Sequence, residues 1–175
     1  MGHLRDDARA LTAQEPTWLR KIAVLCLNPG FHAVLLYRVS RWLHLHHLSP
    51  LGFIVSYVCS AMTGAQISRR AAIGRRLVIC HPFGIVIGAG SVIGDHCTLV
   101  GLNYIGQRNF TGVRPVIGSH LHAGVGAKLL GDIRVGDRVH LGADVVVTES
   151  LPDDVTIAGG VLRHRGIAAD RSPAA

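Results

Sequence analysis

A chain of 175 residues is long enough for one domain with a real core and too short for two ordinary domains with a linker. Hydrophobic residues make up 49% and glycine numbers 21, against 17% charged and 5% aromatic residues, which excludes a disordered chain and argues against an ordinary helical bundle. The formal charge of +7 would suit an anionic partner, but basic residues concentrate only at "ISRRAAIGRR" and "RHRG" and the middle of the chain is poor in stacking aromatics, so nucleic acid is not expected.

Residues 1–15 are polar, mixed in charge and aperiodic, and read as a loose leader. A helical segment is expected over 16–65. In "PTWLRKIAVLCL" a proline stands near the first turn of a helix, "NPG" breaks it, and "FHAVLLYRVSRWLHLHHL" starts another. Val34, Leu35, Val39, Trp42, Leu43 and His46 recur at three- and four-residue steps there and predict its apolar face. His44, His46 and His47 invite a metal reading, but they do not share one helix face and no second ligand cluster is near in sequence. "SPLGFIVSYVCSAM" is interrupted by polar residues and falls short of the ~20 residues that cross a bilayer, so it reads as a packed helix and no integral membrane segment is expected. Cys26, Cys59, Cys80 and Cys97 form no C-x-x-C pair, and no secretory pattern precedes them; a cytoplasmic setting follows.

After Gln66 the periodicity changes. Counting by sixes from Ile87 gives Ile93, Leu99, Ile105, Thr111, Ile117, Ala123, Leu129, Val135, Leu141 and Val147, and glycine follows most of them. Neither an amphipathic helix nor an alternating strand has this period. It is the signature of a β-helix built from short strands and turns, expected over 66–162, with each inward residue stacked on the one eighteen later: Ile87 on Ile105, Ala123 and Leu141. Thr111 would put a hydroxyl into a dry column, so "GQRNFTGVRP" is predicted to leave the helix as a protruding loop near 106–116. Residues 163–175 read as a polar tail.

The segment "IGRRLVICHPFGIVIGAGSVIG", the later "GVGAKLLGDIRVG" and the helical lead-in "NPGFHAVLLYRVSRWL" resemble serine O-acetyltransferases of the hexapeptide-repeat acyltransferase group, from about Asn28 to Gly166. The resemblance implies a mainly β fold, a left-handed parallel β-helix with a short N-terminal α-helical segment. It implies acetyl-CoA as acyl donor, no metal, and a homotrimer, or a hexamer where the helical parts pair trimers. On it, His81 falls on the catalytic general base, which takes the proton of an attacking hydroxyl. Gln66 replaces the carboxylate that partners this histidine, and Cys80 replaces the aspartate before it. The family's D-R-H-P becomes "GVRP", with Arg114 at the histidine position. Asn103, Tyr104, Gln107, Arg108 and Asn109 stand in a lengthened loop where they could line an acceptor pocket.

These departures fall on the acceptor side, and a substrate ammonium group needs an anionic or well-placed acceptor partner. The expected acceptor is therefore a small hydroxyl compound other than free serine, such as a modified amino acid, a sugar or a natural-product intermediate. The donor side is kept: Gly126, Ala127, Lys128, Gly142 and Ala143 match the coils that contact the pantetheine arm, and Arg163 and Arg165 could meet CoA phosphates. Four rival readings remain open, and in one of them the acceptor is a lipid or glycan and the basic helices hold the enzyme against an anionic membrane. Cys80 could carry an acyl-enzyme, although strand alternation would turn it away from His81. His81, His96, His120, His122 and His140 raise a zinc-dependent carbonic anhydrase-like site. The β-helix could also be a non-catalytic assembly subunit.

Overall fold

The computed structural model describes residues 2–13, 16–108, 112 and 114–159. Four helices, α1 (Gly2–Leu11), α2 (Trp18–Leu27), α3 (Pro29–Leu45) and α4 (Ser49–Thr63), precede a left-handed parallel β-helix. Its strands form three sheets. Sheet A holds β1 (Gln66–Ile67), β4 (Val86–Ile87), β7 (Tyr104–Gly106), β10 (Lys128–Leu130) and β13 (Val146–Val147). Sheet B holds β2 (Ala72–Ile73), β5 (Val92–Ile93), β8 (Val116–Ile117) and β11 (Arg134–Val135). Sheet C holds β3 (Val78–Ile79), β6 (Thr98–Leu99), β9 (His122–Ala123), β12 (His140–Leu141) and β14 (Thr156–Ile157). One residue of each short strand points inward, and Ile87, Ile93, Leu99, Ile105, Ile117, Leu129 and Leu141 are fully buried. Each contributes about 1.5–3 kcal/mol by leaving water.

The register corrects the uniform eighteen-residue stacking. Ile87 pairs with Ile105 as expected, but Ile105 then pairs with Leu129, Ile93 with Ile117, and Leu99 with Ala123, all twenty-four apart. Six extra residues therefore lie between β7 and β8, which is where Thr111 interrupts the hexads; Thr111 itself lies outside the described residues. The first coil carries a second irregularity. Ile67, Ile73 and Ile79 pair with residues twenty later, because two extra residues sit in the corner between β3 and β4. That corner is Cys80 to Gly84.

The N-terminal part departs from expectation in two places. Residues 2–11 are a helix rather than a loose leader, and one side chain holds it. Asp7 is 1% exposed; its carboxylate accepts from Arg38 Nε at 2.9 Å, Arg38 Nη2 at 3.2 Å and the Leu77 amide at 2.9 Å. The buried face of α3 is also not the bulky one. Gly30, Ala33, Val34, Tyr37 and Ser40 are buried, whereas Val39, Trp42 and His46 are exposed. Close approach explains the choice: a Cβ at Gly30 would collide with Ile79 O, and one at Gly52 of α4 would lie 2.9 Å from Ser40 O.

The same helix closes the open end of the β-helix. Carbonyls of the first coil have no preceding coil to bond, and an unpaired sheet edge is a liability. Tyr37 Oη donates to Ala71 O at 2.8 Å, Arg38 Nη1 donates to Ile73 O at 2.7 Å, and Arg41 reaches Ala71 O. Burial pushes the Tyr37 hydroxyl above its ordinary range, which keeps it a donor.

Removing the Asp7 carboxylate leaves the half-buried Arg38 charge and the Leu77 amide without their partner. Asp7→Ala should therefore lose about 3 kcal/mol of stability in urea unfolding. At the corner between sheets B and C the effect is smaller and pH-dependent. The Arg75 amide donates to Asp95 Oδ1 at 2.7 Å and, with the Arg75 guanidinium, holds this carboxyl below its ordinary range. A lowered folded value means stabilisation that is complete above the unfolded value near 4 and lost as the pH falls through the folded one. Asp95 is partly exposed, so water screens the effect. Asp95→Asn should cost about 0.5 kcal/mol at pH 7, with the gap to wild type closing as the pH falls below about 4 in thermal melts.

Candidate active site

His81 is placed by the irregular corner. Cys80 and His81 extend the ladder beyond β3, their amides donating to Leu99 O and Val100 O at 3.0 Å each. The two extra residues then form a turn, Ile85 N donating to Pro82 O at 3.1 Å, with Pro82 buried beneath. His81 is thereby carried to the surface on a rigid edge. Gly101, on the next coil, lies against it: a Cβ there would sit 3.0 Å from His81 O and 3.2 Å from His81 Cβ, and its φ of +155° is one that glycine tolerates. Cys80 is also exposed, so strand alternation does not separate it from His81 at this corner. Among the described residues no hydrogen bond joins the two.

Beside the corner runs the outward face of sheet A. Gln66, Val86, Tyr104, Lys128 and Val146 stand in one column, each paired with the next across the ladder. Gln66 and Tyr104 are exposed on it. The Tyr104 ring leans over Gly106, where a Cβ would come within 3.1 Å of it. Lys128 Nζ donates to Gly126 O at 3.0 Å. Two side chains not singled out from the sequence complete the corner: Phe83, 74% exposed, and Leu102, 52% exposed, with the Leu102 amide donating to Phe83 O. An exposed phenylalanine inside a buried-looking "HPFGIVIG" run was the available signal.

Other candidates are placed elsewhere. Asn103 is fully buried and turned inward: its Oδ1 accepts from the Gly101 amide at 3.0 Å and its Nδ2 donates to Gly124 O at 2.7 Å. It braces the coil behind His81 and cannot line a surface pocket. Ala127 is fully buried as well, so only its backbone could meet a ligand. Gly142 is required by coil stacking, since a Cβ there would collide with the Gly159 backbone, while Ala143 is exposed above it. Arg114 and Arg108 lie on the loop between sheets A and B, at the other end of sheet A from His81. Arg114 Nε reaches Ala89 O, with the Gln107 amide beside its guanidinium, and Arg108 rests against Gly131. Asn109, Arg163 and Arg165 lie outside the described residues.

The other four histidines of the zinc reading, His96, His120, His122 and His140, gather on sheet C and its corner with sheet B. His96 and His120 stack at 4.7 Å between ring centroids, and His122 and His140, in register on adjacent strands, stand 5.7 Å apart. Among the described residues no group of three or more His, Cys, Asp or Glu side chains is arranged to hold a metal ion. The four cysteines are free, and burial pushes the Cys97 thiol up to about 11, leaving it unreactive. An apolar groove of about 610 Å³ lies between α3 and sheet B under Trp42, across the β-helix from His81. His3 of α1 lines this groove together with Arg38, Arg41 and Trp42.

A β-helix that presents a histidine from an irregular corner beside a row of coil-stacking glycines is the architecture of a hexapeptide-repeat acyltransferase. Known proteins narrow the class. The chain is 40% identical to the serine acetyltransferase of Helicobacter pylori over 148 residues, covering 83% of this chain and 86% of that one. It is 32% identical to the serine acetyltransferase of Synechococcus elongatus over 172 residues, covering 95% and 70%. The structure of a Brucella abortus serine acetyltransferase in complex with coenzyme A superposes with a TM-score of 0.83 at 28% identity, covering 91% of this chain and 65% of that one. No family-level profile matches. This chain belongs to the serine acetyltransferase family. It spans 58% to 65% of the first solved chains it matches.

Gly101 gives a direct test of the corner. Gly101→Ala must displace the His81 backbone by some tenths of an ångström, so acetyl-CoA-dependent turnover should fall by about tenfold or more. The melting temperature should drop by only a few degrees.

Proposed function

We propose that this chain transfers the acetyl group of acetyl-CoA to the hydroxyl of a small molecule other than free serine, with His81 as general base. The observation that carries the reading is the corner itself: an exposed imidazole held rigidly against Gly101, amid Cys80, Phe83, Leu102, Gln66 and Tyr104. As the acceptor oxygen attacks the thioester carbonyl carbon, the imidazole takes its proton. The C–S bond then breaks and the proton passes to the departing CoA sulfur. Membership of the family supports the donor, and the CoA complex of the Brucella relative supports it independently.

The acceptor follows from what the corner lacks. Gln66 can orient an imidazole but cannot balance an imidazolium with charge. Asp144, on the fourth coil of this corner column, leans its carboxylate onto Gly126 of the third, two coils from His81 and roughly 10 Å away at the ordinary strand spacing. A free amino acid would bring an ammonium group to a corner that offers it no counter-charge. A neutral hydroxyl compound fits the apolar lip of Phe83 and Leu102 better. Arg114 and His81 stand at opposite ends of sheet A, so a pocket using both needs a neighbouring subunit, in keeping with a homotrimer.

CoA release followed with a thiol reagent, against serine, homoserine, N-acylated hydroxy amino acids and sugars, tests this reading. Release with a neutral acceptor and weaker release with serine is the expected pattern; preferred turnover of free serine would contradict it. His81→Ala should reduce transfer by about 10²-fold or more while acetyl-CoA still binds in calorimetry. Full turnover by that variant would remove His81 from the mechanism.

A further inference from the structure

The helical segment carries an unusual combination of charge and exposure. Between residues 16 and 94 the chain contains no Asp or Glu and eight Arg or Lys. Among the described residues the main contact of helix α2 is with α3, and α2 exposes Trp18, Leu19, Ile22 and Leu27. Wound at 100° per residue, Trp18, Leu19, Ile22 and Cys26 form one apolar arc, and Arg20 and Lys21 lie outside it on the other side of the helix, about 100° apart. Helix α4 is inverted in the same sense. It buries Gly52, Cys59 and Thr63 and exposes Phe53, Tyr57 and Met62.

We propose that α2 docks this protein on the surface of an anionic lipid bilayer, with its apolar arc in the headgroup boundary and Arg20 and Lys21 at the phosphates. A helix of ten residues is about 15 Å long and cannot span the ~30 Å hydrocarbon core. No single described helix is long and apolar enough to cross a membrane. The bend of 73° between α2 and α3 does not make one, because Tyr37, Arg38 and Arg41 bind α3 to the β-helix. An apolar arc flanked by cations is the pattern of a helix lying in the interface plane. Two copies meeting α2 to α2 would set Arg20 and Lys21 against the same cations, because α2 carries no carboxylate.

Co-sedimentation of the full chain with vesicles tests the assignment. The protein should sediment with phosphatidylcholine vesicles containing phosphatidylglycerol at low salt, be released at high salt, and stay in solution with phosphatidylcholine alone. In a Trp42→Phe background Trp18 is the only tryptophan, and its emission should shift to the blue on vesicles. Arg20→Glu with Lys21→Glu, and separately Ile22→Asp, should each lower partition roughly tenfold or more. Both variants should keep the wild-type circular dichroism and acetyl transfer in vesicle-free buffer. Equal binding to neutral vesicles, or wild-type partition by the variants, overturns the proposal. So does an assembly in light scattering that the α2 variants split while vesicles are ignored, which would assign α2 to a second copy.

Discussion

The architecture depends on one repeated contact: the inward aliphatic of each two-residue strand resting on its counterpart one coil away. Two-residue strands have almost no stability of their own, so the dry column and the parallel ladder outside it must be continuous. Side-chain size is tightly constrained inside, and glycine is required where corners stack backbone on backbone, as at Gly142 under Gly159. Chemistry can enter only where the column tolerates extra residues between two inward positions. The two-residue bulge at Cys80–Gly84 and the six-residue loop between β7 and β8 are the two such places, at opposite ends of sheet A. A rigid scaffold thus carries its variable groups on its own irregularities.

Stacking solves the interior but leaves an end. The first coil's carbonyls are met by Tyr37, Arg38 and Arg41, and Arg38 is in turn held by Asp7. The helical segment is therefore a cap as well as an appendage, and two of the four Arg and Lys side chains between residues 16 and 65 are committed to the β-helix. The basic residues of α2 are not so committed, which separates the charge that builds the fold from the charge left to meet a partner.

The hexads were legible because every inward residue repeats the same physical demand. Their interruptions were legible unequally. An insertion of six residues preserves the phase of a count by sixes, so it moved Ile105 from Ala123 to Leu129 with Thr111 as the sole trace. An insertion of two breaks the phase, and counting back from Ile87 lands on His81 rather than on Ile79. Helix α1 could not be read, because its anchor is one carboxylate meeting an arginine and an amide distant in sequence. The face of α3 was misread because bulky apolar residues dominate any periodicity argument, while the contact with β3 and α4 needs small ones. At the site, His81, Gln66 and Tyr104 lie on the surface of one corner and sheet, whereas Asn103 is folded inward as a brace, a distinction that spacing does not encode.

The claim at the centre of this account is that the bulged corner is where the acyl donor meets its acceptor. A crystal structure with coenzyme A bound would test it most directly. The account predicts the CoA sulfur within about 4 Å of the His81 imidazole, with the pantetheine arm running past Gly126 and Ala143. A coenzyme lying instead in the apolar groove between α3 and sheet B, its sulfur remote from His81, would contradict it.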